Sequence, residues 1–199
     1  MRMSLMAVLM LVGWLGAGNV ARAGDVRNFD VSGMQLGMSV GEIEAAAAAK
    51  GLLETARMKA PWFEQAVMIR KKRTVEARNY GGIRKLEFET KTEHVEVDFV
   101  AMPEGPRAYM IHYVNSDPSL SSEAMSAGVE RKYGAPDKRG ELKWVWGDVA
   151  TIPLRTEPNL EYKIEPLTTL VGRKAIGSLT LRDPGLPKES QAAIEEAAS

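Results

Sequence analysis

The chain has 199 residues with 26 Lys and Arg against 26 Asp and Glu, so its formal net charge is zero. This balance indicates no nucleic-acid partner, because a phosphate-binding surface normally appears as a basic excess. The sequence contains no cysteine, which excludes disulfides, zinc–thiolate sites, thiol catalysis and a lipid-modified N-terminal cysteine.

The first 23 residues have the pattern of a secretory signal peptide. Arg2 provides a positive start, residues 3–17 are largely apolar, and Ala21 and Ala23 are the small residues that a signal peptidase reads. The alternative is a transmembrane anchor, which needs roughly 20 apolar residues and therefore a longer run. We expect cleavage after Ala23, no stable membrane anchor, and a location in a bacterial periplasm or outside the cell.

Residues 24–117 are predicted to form a first helix-and-sheet unit. Ser39 is a good N-cap, and Glu42 lies at the spacing of a capping box. Gly51 can adopt the left-handed conformation that ends a helix. These signals predict a helix over 39–50.

The segment 52–80 is locally basic and also carries aromatic side chains. We expect strand pieces there, with the basic run near a turn. Large aromatic side chains dominate binding hot spots, and a basic surface can meet an acidic partner or anionic lipid. The alternative is a solvated strand or loop. The candidate partner-binding residues are Trp62, Phe63, Arg70, Lys71, Lys72 and Arg73.

Alternation of apolar and polar residues predicts the strands of the first unit. Such a period of two indicates a half-buried strand, with one face on a core and the other on water. A short strand is expected within 25–31, and an antiparallel meander follows at 85–90, 94–99 and 109–113.

Residues 118–185 are predicted to repeat this arrangement. Ser121 is the expected N-cap of a second helix, which ends at Gly134, and Ser121 follows Ser39 at an offset of 82 residues. An offset of this size indicates a duplicated small unit rather than a solenoid. Three further strands are expected near 142–146, 160–165 and 178–181, and residues 186–199 are expected to form a flexible tail.

These elements predict an α+β fold: two tandem helix-plus-antiparallel-sheet units that form one continuous sheet, with the helices on one face. The alternation places Leu142, Trp144 and Trp146 on a common strand face. We expect that face to be buried between sheet and helix, although tryptophan is equally typical of binding hot spots.

The sequence offers little for catalysis, and we expect no enzyme activity and no cofactor. Candidate metal ligands on the polar strand faces are His94, His112, Glu96 and Asp98. Their spacing matches no named metal motif, so we expect no metal site. The acidic residues considered for glycan cleavage are Glu87, Glu89, Glu96 and Asp98. Alternating acidic residues on a wet strand face are more typical of a solubilising surface.

Short motifs in this order resemble those of a group of small bacterial envelope proteins. The residues that carry the resemblance are Leu36, Gly37, Met38, Ser39, Lys132, Tyr133, Gly134, Pro136, Trp144 and Trp146. The chain is similar over roughly 29–182 to the SmpA/OmlA (BamE-like) outer-membrane assembly lipoproteins and to the β-lactamase inhibitory protein. This resemblance implies a helical segment against a small antiparallel sheet, and a function in binding other proteins. Without a cysteine, the chain lacks the lipid anchor of the assembly lipoproteins.

We therefore expect an exported, non-catalytic module that binds a protein partner in the cell envelope, through one sheet face or through the region 57–73. Two alternatives remain open at this point. One is a binder of a small or polymeric envelope ligand, a lipid or a glycan, held in the concavity of the sheet. The other is a hydrolase with an acidic site.

Overall fold

The computed structural model describes residues 25–147, 157–164 and 177–199. The predicted signal peptide and its cleavage after Ala23 lie outside the described residues. The helices are α1 (Val40–Ala49), α2 (Phe63–Arg70), α3 (Ser122–Tyr133) and α4 (Gly185–Ala198). The strands are β1 (Asp30–Val31), β2 (Met34–Gln35), β3 (Leu53–Ala60), β4 (Gly82–Glu89), β5 (Glu93–Val100), β6 (Arg107–Asn115), β7 (Lys138–Arg139), β8 (Lys143–Gly147), β9 (Asn159–Ile164) and β10 (Gly177–Arg182).

Eight of these strands form one antiparallel sheet in the order β3-β4-β5-β6-β10-β9-β8-β7. The first unit contributes β3 to β6 and the second contributes β7 to β10, so the last strand of each unit lies at the seam between them. At this seam Tyr113 of β6 lies opposite Leu179 of β10. The predicted α+β class, with two tandem units in one continuous sheet, is confirmed.

The cap residues define the ends of α1 and α3. The backbone N–H of Ser39 donates to Glu42 Oε2 at 2.8 Å, and the N–H of Glu42 donates to Ser39 Oγ at 3.4 Å, which completes the capping box. In α3 the Ser121 hydroxyl accepts from Ala124 N–H at 3.2 Å. Gly134 ends the helix at φ 78°, a conformation that favours glycine. Both predicted helices are confirmed.

Helices α1 and α3 pack on the same face of the sheet. Ile43 of α1 and Val129 of α3 are buried in a single core with the inward residues of the central strands, such as Val97 and Leu181. Since strand residues alternate between faces, this core explains the period of two in the sequence.

The second unit fills its part of the core with aromatic side chains. Trp146 is fully buried, and its ring lies 6.2 Å from that of Trp144 and 6.0 Å from that of Tyr133. The buried tryptophan pair was predicted. Leu142, expected on the same face, is instead 55% exposed, because it precedes the first residue of β8 and leaves the sheet.

Two segments differ from their predicted conformation. The segment 52–80 was expected to contain strand pieces, but it forms β3 and then helix α2. Pro61 interrupts the ladder, and the Gln65 side chain accepts from the backbone N–H of Trp62 at 3.2 Å, which holds the first turn of the helix. At the N-terminal end, a 3₁₀ turn at Val26–Asn28 occupies part of the expected first strand.

The expected flexible tail is a helix, α4. This helix packs against α2 and the end of β5, and its Ser190 hydroxyl is buried and donates to the carbonyl of Ala101 at 2.6 Å. A sequence with few apolar residues predicts little burial, but α4 has α2 as a packing partner. Tertiary packing of this kind stabilises short helices more than intrinsic propensity does.

Candidate binding surface

Exposed apolar side chains concentrate at one end of the sheet. We define the arm as residues 53–73, which comprise β3, α2 and the basic run after it. Within the described part of the chain, five large apolar side chains are exposed, and four of them belong to the arm. These four are Leu53, Met58, Trp62 and Ile69. The fifth, Leu142, lies in the second unit.

Trp62 and Phe63 stand together at the start of α2. Trp62 is 49% exposed, and with Phe63 it lines a cavity of about 280 Å³ against the β5–β6 turn at 102–106. The tryptophan ring covers Gly81, whose missing side chain leaves a closest approach of 3.4 Å for a Cβ atom. Gln65 supports the position by donating to the carbonyl of Asn79 at 2.8 Å.

The predicted basic residues lie at the opposite end of α2. Arg70 pairs with Glu195 of α4 at 3.1 Å, whereas Lys71, Lys72 and Arg73 are exposed to solvent. An eight-residue helix is about 12 Å long, so the aromatic and basic residues form two separate patches on one element. The sequence placed them in one site, but the helix divides that site.

The free edge of the sheet on this side is β3. Its pairing with β4 is irregular at two places, between Glu54 and Ala56 and between Met58 and Lys59. Arg57 forms ion pairs with Glu44 and Glu54, and these hydrogen bonds raise the pKa of Arg57 above its ordinary value. Bulges and charges are the devices that discourage strand-to-strand association. The side chains of the arm are therefore a better binding feature than its backbone edge.

The polar face of the sheet carries a connected set of charges. Lys85 donates to Glu96 at 2.6 Å, and His94 lies 3.1 Å from Glu89 and 3.2 Å from Glu96 through its two ring nitrogens. Only the protonated imidazole has a hydrogen on each nitrogen to donate to both carboxylates. His94 was expected on a wet face, but it is only 8% exposed, because the flanking carboxylates surround it.

Two carboxylates of this face have opposite pKa shifts. Burial raises the pKa of Asp98. Burial also acts to raise the pKa of Glu96, but hydrogen bonds from Lys85 and His94 outweigh it and lower that pKa below its ordinary value. Opposed shifts are typical of acid–base pairs in hydrolases. Here Glu96 is already held by two cationic partners, so the arrangement is better explained as an ion-pair network.

Burial lowers the pKa of the second histidine of this face, His112, whose Nδ1 lies 2.9 Å from Thr180 Oγ1. The hydroxyl and the imidazole can share one hydrogen when the ring is neutral. Across the described ranges, no group of three or more His, Asp or Glu side chains has the arrangement to hold a metal ion.

Comparisons with known proteins identify no relative. No family model matches the chain, and no curated protein or solved structure matches it. None of the helices in the described ranges is long and apolar enough to cross a membrane.

Proposed function

We propose that this protein is an exported, non-catalytic protein-binding module of the bacterial cell envelope, and that the arm is its contact surface. The concentration of exposed apolar side chains on the arm is the observation that carries the proposal. Clustered exposed apolar residues mark interaction sites, whereas single ones are ordinary. A half-exposed tryptophan beside a second aromatic residue is also the typical centre of a binding hot spot.

The charge of the arm indicates the chemistry of its partner. Lys71, Lys72 and Arg73 extend from the end of α2 into solvent, about 12 Å from the aromatic pair. A partner that covers both patches has an apolar centre with acidic groups at its rim. The rim charges then act mainly on the rate and salt dependence of association, and the aromatic pair on the lifetime of the complex.

Two further observations support the rest of the proposal. Residues 1–23 have the composition of a cleaved export signal. The residues considered for catalysis, among them His94 and Glu96, bind one another or Lys85. The resemblance to the assembly lipoproteins and the β-lactamase inhibitory protein agrees with a binding role and belongs to the same proposal.

The test is a crosslinking pull-down from envelope extract with the chain that begins at residue 24. We expect one specific protein with the wild-type chain and its loss with Trp62→Ala/Phe63→Ala. Lys71→Glu/Lys72→Glu/Arg73→Glu should weaken the same capture in a salt-dependent manner.

The matched control is Leu142→Ala, because Leu142 is 55% exposed but lies outside the arm. This variant should capture the partner as well as the wild type does. Equal loss in Leu142→Ala and in the arm variant would show nonspecific adhesion. If neither chain captures a protein, the binding-module proposal fails and a small envelope ligand becomes the better candidate.

A further inference from the structure

A groove opens at the seam between the two units, on the face that carries α1 and α3. Its volume is about 400 Å³, within the range of about 300–1,000 Å³ typical of small-ligand sites. The floor is the cross-strand pair Tyr113 and Leu179, contributed by one unit each. The walls come from α3, the end of α1 and the β1–β2 turn, and they include Val31, Leu120, Met125 and Val129.

Small residues on α3 keep the groove open. Ala124 and Gly128 are one helical turn apart, line the groove and are both exposed. A Cβ atom built on Gly128 meets no atom within 4 Å. Glycine inside a helix is unfavourable relative to alanine, and this one leaves room where the groove needs it.

The rim of the groove is cationic at one place. Lys50 at the end of α1 and Lys132 of α3 both line it, and Asp30 lies between the elements that carry them. Lys132 donates to Asp30 Oδ1 at 2.8 Å, and the N–H of Gly33 donates to the same oxygen at 2.8 Å. Within the described residues, no carboxylate lies within ion-pair distance of the Lys50 amine, so one positive charge is left without a close partner.

We propose that this groove binds a single-chain amphiphile with a carboxylate head, of the fatty-acid class. The apolar floor and walls cover the acyl chain, and Lys50 and Lys132 receive the carboxylate. The polar atoms of the floor are already occupied, because the Tyr113 hydroxyl donates to Glu93 at 2.7 Å and accepts from Asn115 at 3.0 Å. The rim lysines are therefore the groups that recognise the head.

The proposal is independent of the arm. The arm lies beyond β4 and β5 at the edge of the sheet, whereas the groove lies over β6 and β10. The Trp62→Ala/Phe63→Ala chain should therefore bind the amphiphile as the wild type does. Failure of the partner pull-down and failure of the groove experiment can thus be distinguished.

The experiment is calorimetric titration of the chain beginning at residue 24 with monomeric decanoate, and with decanol as the uncharged probe of equal length. We expect saturable binding of decanoate and weaker binding of decanol. Lys50→Gln should reduce the preference for decanoate by about two- to fivefold, the effect of one partly exposed ion pair.

Gly128→Leu should weaken decanoate binding at least about tenfold by filling the groove, and Gly128→Ala is its matched control with little loss. Ala124→Phe provides a second blocking variant on the same wall, and circular dichroism checks that each chain folds. The proposal is overturned if decanoate shows no saturable heat, or if both blocked variants bind it normally. Saturable binding of acetyl-Leu-Leu but not of decanoate would instead assign the groove to a peptide C-terminus.

Discussion

The two outer ends of the eight-stranded sheet have different lengths and expose different side chains. At the first end, β3 has eight residues, and 21 residues with α2 among them separate it from β4. At the second end, β7 has two residues, and a three-residue connection leads to β8. The arm has thus been added to a repeated unit whose other copy ends simply. Added segments of this kind carry function more often than the scaffold does.

The two units also use tryptophan differently. Trp144 and Trp146 of the second unit are buried and pack edge to face, whereas Trp62 of the first unit is half exposed on the arm. A buried tryptophan stabilises the fold through packing, and an exposed one beside a pocket is available to a partner. The comparison predicts that the same substitution has opposite consequences at the two ends.

The largest expected effect is on the free energy of unfolding of Trp146→Ala. Trp146 is fully buried, and its Nε1 donates to the carbonyl of Gly134 at 3.1 Å. Its loss should cost about 3–5 kcal/mol. Trp62→Ala is the matched comparison and should cost no more than about 1 kcal/mol. Urea denaturation of both chains measures the difference, and equal costs would contradict the assignment of Trp62 to a binding role.

A smaller effect is expected where the arm meets the sheet. A Cβ atom on Gly82 would lie 2.9 Å from the backbone nitrogen of Trp62 and 3.0 Å from the carbonyl oxygen of Ala60. Gly82→Ala should therefore displace the backbone of the arm and destabilise the protein by about 1–3 kcal/mol.

The control for that variant is Gly81→Ala, whose Cβ atom would make an ordinary 3.4 Å contact with the Trp62 ring. It should keep nearly wild-type stability. Partner capture should fall with Gly82→Ala and persist with Gly81→Ala. Identical melting temperatures for the two variants would mean that the arm is not held where the structure places it.

The end of α3 offers a third test. Gly134 has φ 78° and ψ −169°, a region that is essentially restricted to glycine. Gly134→Val should destabilise the protein by roughly 1 kcal/mol or more. Gly41→Ala, inside α1 with open space at its Cβ position, should be neutral or slightly stabilising. An unchanged melting temperature for Gly134→Val would contradict the observed cap.

The smallest expected effect is a change in pH dependence. Burial lowers the pKa of His112, so below about pH 6.5 the unfolded chain binds more protons at this position than the folded one. Folding stability at this site is therefore complete above that pH and is lost as the pH falls. His112→Gln should reduce the loss of unfolding free energy between about pH 7.5 and about pH 5.5. Parallel urea titrations of both chains at the two pH values measure this, and an unchanged slope would refute it.

Several parts of the fold could be predicted because their signals are local. Ser39 with Glu42, and Ser121 with Gly134, specify the ends of α1 and α3 through hydrogen bonds within a few residues. Helix α2 was missed because its first turn is capped by Gln65 and its N-cap is Trp62, which is not a recognised cap residue.

The candidate sites could be predicted only in part. Trp62 and Phe63 were identified as surface aromatics from their position after Pro61, but their distance from the basic residues depends on α2 being a helix. The exposed Leu53 and Met58 showed no distinct pattern, since an edge strand exposed on both faces resembles a half-buried strand in sequence. The groove had no signal in the sequence, because its floor joins residues 66 positions apart at Tyr113 and Leu179.

The sequence by itself determined the period of the strands, the helix caps and the duplication, because each depends on residues that are close along the chain. Only the tertiary structure decided that β6 meets β10, that α4 returns to α2, and that His94 is enclosed by Glu89 and Glu96. These features depend on contacts between distant segments. Alternation shows which side chains share a face, but the partner of that face is selected by packing and charge across the whole fold.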